Sequence, residues 1–118
     1  MWRWALVAAW MALVFSVSSI SNLGRAARVP DWISHPIEYA VGAWLLGQAL
    51  AGGRPGPLTR STALTATLLA TAYGVTDEYH QSFVPGRTSD FADVVKDLGG
   101  AAAGSLIYRL RRGGRGTA

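Results

Sequence analysis

Between Arg3 and Arg25 the chain carries no charged side chain. A helix needs about 20 mostly apolar residues to cross a lipid bilayer, and the stretch from Trp4 to Asn22 (WALVAAWMALVFSVSSISN) meets that requirement. Three further stretches share the length with weaker hydropathy: Pro36 to Gly52, Ser61 to Tyr79 and Phe91 to Leu110. The third is rich in Thr and Ala, and the fourth holds Asp93, Lys96 and Asp97. Breakers separate them, notably Gly53-Arg54-Pro55-Gly56-Pro57 and Pro85-Gly86. The sequence therefore predicts an all-α, polytopic membrane protein, a four-helix transmembrane bundle. One domain spans residues 1–112, and residues 113–118 form a disordered basic tail. The first stretch reads as a retained span rather than a signal peptide, because no small-x-small cleavage site follows it.

Composition agrees. Charged residues make up 15% of the 118, against about 25% in an ordinary soluble domain. With no cysteine there is no disulfide framework, thiolate nucleophile or zinc-finger ligand set. The net charge of +4 does not point to nucleic acid, because the bases lie between and beyond apolar stretches. Arg3, Arg54, Arg60, Arg109, Arg111, Arg112 and Arg115 fall on the side of the termini. Only Arg25, Arg28 and Arg87 fall on the other side, so the positive-inside rule places both termini in the cytoplasm. Asp31, Glu38, Asp77, Glu78, Asp90, Asp93 and Asp97 all then fall on or near the outer face. Trp2, Trp4, Trp32 and Tyr108 read as interfacial anchors, and Trp44 as a lipid-facing residue.

Ionisable residues inside a span are expensive and mark function. At about 100° per residue, His35, Glu38, Tyr39 and Gly42 share a face of the second helix. Pro36 suits its first turn. Tyr73, Asp77 and Gln81 share a face of the third, with Glu78 and His80 flanking. Asp90, Asp93 and Asp97 form a stripe on the fourth that continues inward as Gly100, Ala101 and Gly104. Gly100-x-x-x-Gly104 allows another helix backbone to approach closely, so the stripe faces the bundle interior. Ser16, Ser18, Ser19 and Ser21 read as helix-packing hydroxyls.

The run Asp77-Glu78-Tyr79-His80-Gln81-Ser82-Phe83-Val84-Pro85-Gly86-Arg87, followed by Asp93, Gly99 and Gly104, resembles the signature of the VanZ-like family. The upstream His35-x-x-x-Tyr39 is similar to that family's other motif, and position 97 is Asp where members often carry Asn. The resemblance implies a small integral membrane protein of the bacterial cell envelope, in a family whose namesake is associated with resistance to the glycopeptide teicoplanin. It brings no established reaction.

These residues predict an outward-facing polar pocket of His35, Glu38, Tyr39, Asp77, Glu78, Gln81, Arg87, Asp93 and Asp97. Arg87 suits bidentate binding of a phosphate or carboxylate, such as a lipid-linked or cell-wall precursor, or an internal pair with Asp77, Asp90 or Asp93. Asp77, Glu78 and Asp93 are candidate ligands for a divalent cation; the alternative for one of them is an ion pair with Arg87. Three functions stand open: recognition of an envelope anion, metal-dependent hydrolysis or transfer on a lipid, and structural docking of a partner. No nucleophile elbow, HExxH, Walker loop or dinucleotide fingerprint is present, which argues against a conventional enzyme.

Overall fold

The computed structural model describes the backbone of residues 1–19, 31–54, 56–85 and 92–116, and the side chains of residues 1–19, 33–54, 56–85 and 92–112. Within them the chain is all-α, with four helices: α1 (Trp2–Ser18), α2 (Asp31–Ala51), α3 (Arg60–Gln81) and α4 (Ala92–Gly116). Among the described residues, no helix is both long and apolar enough to cross a membrane. Helix α1 holds 17 residues, ends at Ser18 before the uncharged stretch does and includes Arg3, and the polar residues of α2, α3 and α4 lower their hydropathy.

The helices run alternately up and down. Arg3 at the start of α1 lies against Gly53 after α2, while Ser18 at its end meets Gln81 at the end of α3. His35 near the start of α2 meets Asp97 near the start of α4. The bundle thus has two chemically different ends. At one, Gly52 turns the chain out of α2 with φ +62°, the left-handed conformation that glycine adopts without a Cβ penalty. Thr59 then caps α3, its hydroxyl accepting from the Thr62 backbone N–H at 3.1 Å. Arg112 ties α4 to this connection, donating to the carbonyls of Gly56 and Arg54. Arg109 donates to the Leu58 carbonyl at 3.2 Å. These anchors hold the C-terminal part of α4, which continues to Gly116, beyond the expected helix end at Leu110 and through residues 113–116 expected as tail.

The interior is built on small residues. A Cβ on Gly100 would lie 2.1 Å from the Pro36 carbonyl oxygen, and one on Gly104 would lie 2.2 Å from that of Ala40. The backbones of α2 and α4 are therefore in direct contact, as the small-x-x-x-small face predicts. On the other side of α2, Gly42 accepts the Trp10 ring of α1, whose Nε1 donates to the Glu38 carbonyl at 2.9 Å. Trp10 also packs edge-on to Tyr39 at a centroid distance of 5.5 Å.

Three local expectations are corrected. Pro36 lies inside α2 rather than in its first turn, because the helix begins at Asp31. Trp44, expected to face outward, is half-buried, with its ring 4.9 Å from that of Tyr108. Tyr108 is correspondingly buried and is not an interfacial anchor. The anchor reading of Trp32 lies outside the described side chains.

The glycine contacts give a direct test. Gly104→Ala forces α2 and α4 apart and lowers stability by about 1–3 kcal/mol, the usual cost of overpacking. Gly99→Ala, whose new Cβ meets nothing within 4 Å, leaves the melting temperature unchanged or raises it. Thermal unfolding of the two variants, followed by circular dichroism, checks the contrast.

Candidate functional site

The site begins where α2 and α4 touch. Glycine at position 100 brings α4 against Pro36, and this proximity places His35 beside Asp97. Nδ1 of His35 lies 3.0 Å from Oδ1 of Asp97, and both side chains are buried. A third helix closes over the carboxylate: a Cβ on Gly74 of α3 would lie 2.6 Å from Oδ2 of Asp97. Asp97 thus occupies a junction of α2, α3 and α4, and the missing side chain at Gly74 provides its space. A charged carboxylate in such a place needs a hydrogen-bonded partner, which His35 supplies.

The end of α3 adds Asp77, Glu78 and Gln81, all buried. The Gln81 amide donates to Oδ2 of Asp77 and to Oγ of Ser18, each at 3.2 Å. It thereby joins α1 to the carboxylate group. Asp93, half-buried near the start of α4, accepts from Lys96 Nζ at 3.3 Å. His35, Glu78 and Asp93 converge further, each offering a ligand atom within 4.8 Å of the others. Tyr39 lies one turn after His35 and is completely buried. The Tyr39 hydroxyl and Oδ2 of Asp97 have no hydrogen-bond partner among the described residues.

The residues singled out in the sequence are therefore largely brought together. His35, Tyr39, Asp77, Glu78, Gln81 and Asp97 are buried, and Glu38 and Asp93 are half-buried beside them. Arg87 and Asp90 lie outside the described residues, as does any pair that Arg87 makes. Among the metal candidates, Glu78 and Asp93 belong to the converging group, with His35 in the position proposed for Asp77. Asp77 instead accepts from Gln81. The Tyr73 hydroxyl donates to the Met11 carbonyl at 2.6 Å, fastening α3 to α1. Sequence reasoning missed Gly74, which stands three residues before Asp77 on the same face. It also gave Ser18 only a packing role. The helical spacing held the signal for Gly74; nothing local pairs Ser18 with Gln81.

A family model described as VanZ/LLP1 matches residues 1–112. The chain belongs to the VanZ/LLP1 family. No curated protein and no solved structure matches the chain significantly. Within this VanZ/LLP1 chain, the motif residues divide by orientation. Asp77, Glu78 and Gln81 turn inward, as do His35 and Tyr39, whereas Tyr79 and Phe83 are exposed and pack on each other at 5.1 Å. Gly104 touches α2, but Gly99 faces open space, and Gly100 makes the second close contact.

The His35–Asp97 contact is tested by a double-mutant cycle. His35→Leu leaves a buried carboxylate without its partner and destabilises the protein by about 3–5 kcal/mol. Adding Asp97→Leu removes that stranded charge and recovers much of the loss. Denaturant unfolding of wild type, both single variants and the double variant measures the coupling.

Proposed function

We propose that this VanZ/LLP1 chain is an integral membrane protein of the bacterial cell envelope that recognises the anionic headgroup of a lipid-linked or cell-wall precursor. The observation that carries the reading is the bundle's polarity: charged and polar side chains are gathered inside, and large apolar ones stand outside. His35, Asp77, Glu78, Gln81 and Asp97 are buried, while Leu13, Phe15, Val41, Leu64, Leu68 and Leu106 are exposed. Soluble monomers rarely expose extensive apolar surface, whereas a lipid-facing exterior requires it. At 1.5 Å per residue, the lengths of α2, α3 and α4 match or exceed a hydrocarbon core of about 30 Å.

The hydroxyl groups support the same environment. Ser16 bonds the Ala12 carbonyl, Thr65 that of Ser61 and Thr71 that of Thr67, so these side chains need no water. The gathering of Arg54, Arg109 and Arg112 at one end supports a cytoplasmic position for that end under the positive-inside rule, with the acidic end outside. On this reading Arg87 grips a phosphate or carboxylate, and the acids hold a cation or the remainder of the headgroup. Tolerance of teicoplanin would follow if the bound precursor is the one the glycopeptide sequesters.

The test uses the full chain in nanodiscs with a fluorescent polyprenyl phosphate. Wild type binds it and discriminates against the uncharged polyprenol. Arg87→Ala weakens binding at least tenfold while the helical circular dichroism spectrum is retained. Equal binding of polyprenyl phosphate and polyprenol, or unchanged binding by Arg87→Ala, overturns the reading. Reporter fusions that put the C-terminus and residue 85 on the same side of the membrane do so as well.

A further inference from the structure

A cluster of carboxylates repels a bare phosphate, so headgroup recognition here calls for positive charge within the acidic end. Among the described residues, Lys96 is committed to Asp93 and His35 to Asp97. We propose that His35, Glu78 and Asp93 form a binding site for one divalent metal ion of the class that takes imidazole and carboxylate together, with Zn²⁺ as its representative. The proposal deepens the headgroup reading, since a metal at this place would add positive charge to that of Arg87, but the site itself does not require that reading.

The geometry comes from three helices rather than from a local run of acids. His35 is on α2, Glu78 on α3 and Asp93 on α4, and their ligand atoms lie within 4.8 Å of one another. Small side-chain rotations bring such a triangle to the ligand distances of about 2.0–2.2 Å that Zn²⁺ requires. Three protein ligands leave a fourth position for water or a ligand oxygen, the arrangement of open zinc sites. Two carboxylates and a neutral imidazole also match the charge of a divalent ion. The donor set disfavours Mg²⁺ and Ca²⁺, which take oxygen ligands almost exclusively.

Two independent features point to a ligand. Asp97 engages Nδ1 of His35 at 3.0 Å, which leaves Nε2 as the ring nitrogen for coordination. This is the carboxylate–histidine–metal arrangement, in which the outer carboxylate fixes the ring and raises its basicity. The second feature is the Tyr39 hydroxyl, wholly buried one helical turn after His35 and with no partner among the described residues. A metal-bound water or headgroup oxygen would satisfy it, whereas an unfilled hydrogen bond at this depth costs free energy. Asp97 acts here as a positioning residue, and Tyr39 as a donor to the fourth ligand.

The full chain, purified in detergent, stripped with chelator and titrated with ZnCl₂, should retain close to one equivalent of zinc by elemental analysis. Asp93→Asn, at a half-buried position near a helix start, keeps the fold and lowers zinc affinity at least tenfold. His35→Ala abolishes stoichiometric binding. Asp97→Asn, which preserves shape, weakens zinc binding about 10- to 100-fold without removing the equivalent at saturation. X-ray absorption of the loaded protein should show mixed nitrogen and oxygen ligands and no sulfur. Absence of a stoichiometric ion, or equal affinity in wild type and Asp93→Asn, overturns the site. Polyprenyl phosphate binding measured with and without chelator separates the two readings. Zinc binding without lipid recognition retires the headgroup function alone, and chelator-insensitive lipid recognition by a chain that binds no zinc retires the metal alone.

Discussion

The contact of α2 with α4 at Gly100 and Gly104 is the constraint on which the polar interior depends. A Cβ at either glycine would overlap a carbonyl of α2. With side chains there, the two helices would separate, and the 3.0 Å contact between His35 and Asp97 would open. Asp97 would then be a buried carboxylate without its partner, a state that costs several kcal/mol. Gly74 imposes a related limit from α3, because the Asp97 carboxyl group occupies the space its side chain would need. Three glycines on two helices thus decide whether three helices can share one charged junction. They supply no chemistry themselves, yet they set the distances at which the acids and the histidine meet.

α1 joins this junction through bonds that its apolar sequence does not advertise. The Trp10 indole donates to the Glu38 carbonyl, Tyr73 donates to the Met11 carbonyl, and Gln81 donates to Ser18. Each couples α1 to an element bearing acids. The indole also fills the space left by Gly42 and stacks its edge on Tyr39. The least polar helix therefore closes the side of the bundle on which Tyr39 and Asp77 lie.

Much of this arrangement was legible because helical spacing is local. His35, Tyr39 and Gly42 fall on one face whatever packs against them, and all three are buried. The same arithmetic put Asp97 on the face of Gly100 and Gly104 and turned it inward. Pairings between helices were not legible, since they depend on rotation and rise that the periodicity leaves free. Trp44 illustrates the limit: its angle away from His35 was correct, but the surface it meets is Tyr108 of α4. Pro36 illustrates another. Proline favours a first turn, yet the helix starts at Asp31, and tertiary contacts with Gly100 outweigh that local preference. The choice of His35 over Asp77 in the converging group likewise rests on interhelical distances.

The energetic balance bears on why the charged interior exists. Apolar replacements of similar volume at His35 and Asp97 would pack as well and avoid desolvating two ionisable groups. The Tyr39 hydroxyl adds a further cost, since phenylalanine would fill the same space without an unmade hydrogen bond. Stability alone therefore gives no reason for this set of side chains. Hydroxyl groups elsewhere in the bundle are economical: Thr67 reaches both the Ala63 carbonyl and the Ser105 hydroxyl, and Thr71 returns to the Thr67 carbonyl of its own helix. Tyr39 and Asp97 each keep a buried polar atom without a partner among the described residues, as His80 does at Nδ1, and Asp97 is the one that touches the His35 of the converging group. That contrast is what the proposed metal site would account for. It also explains why a cation, rather than an added protein hydrogen bond, is the simplest single species that would offset the excess of carboxylates at this end.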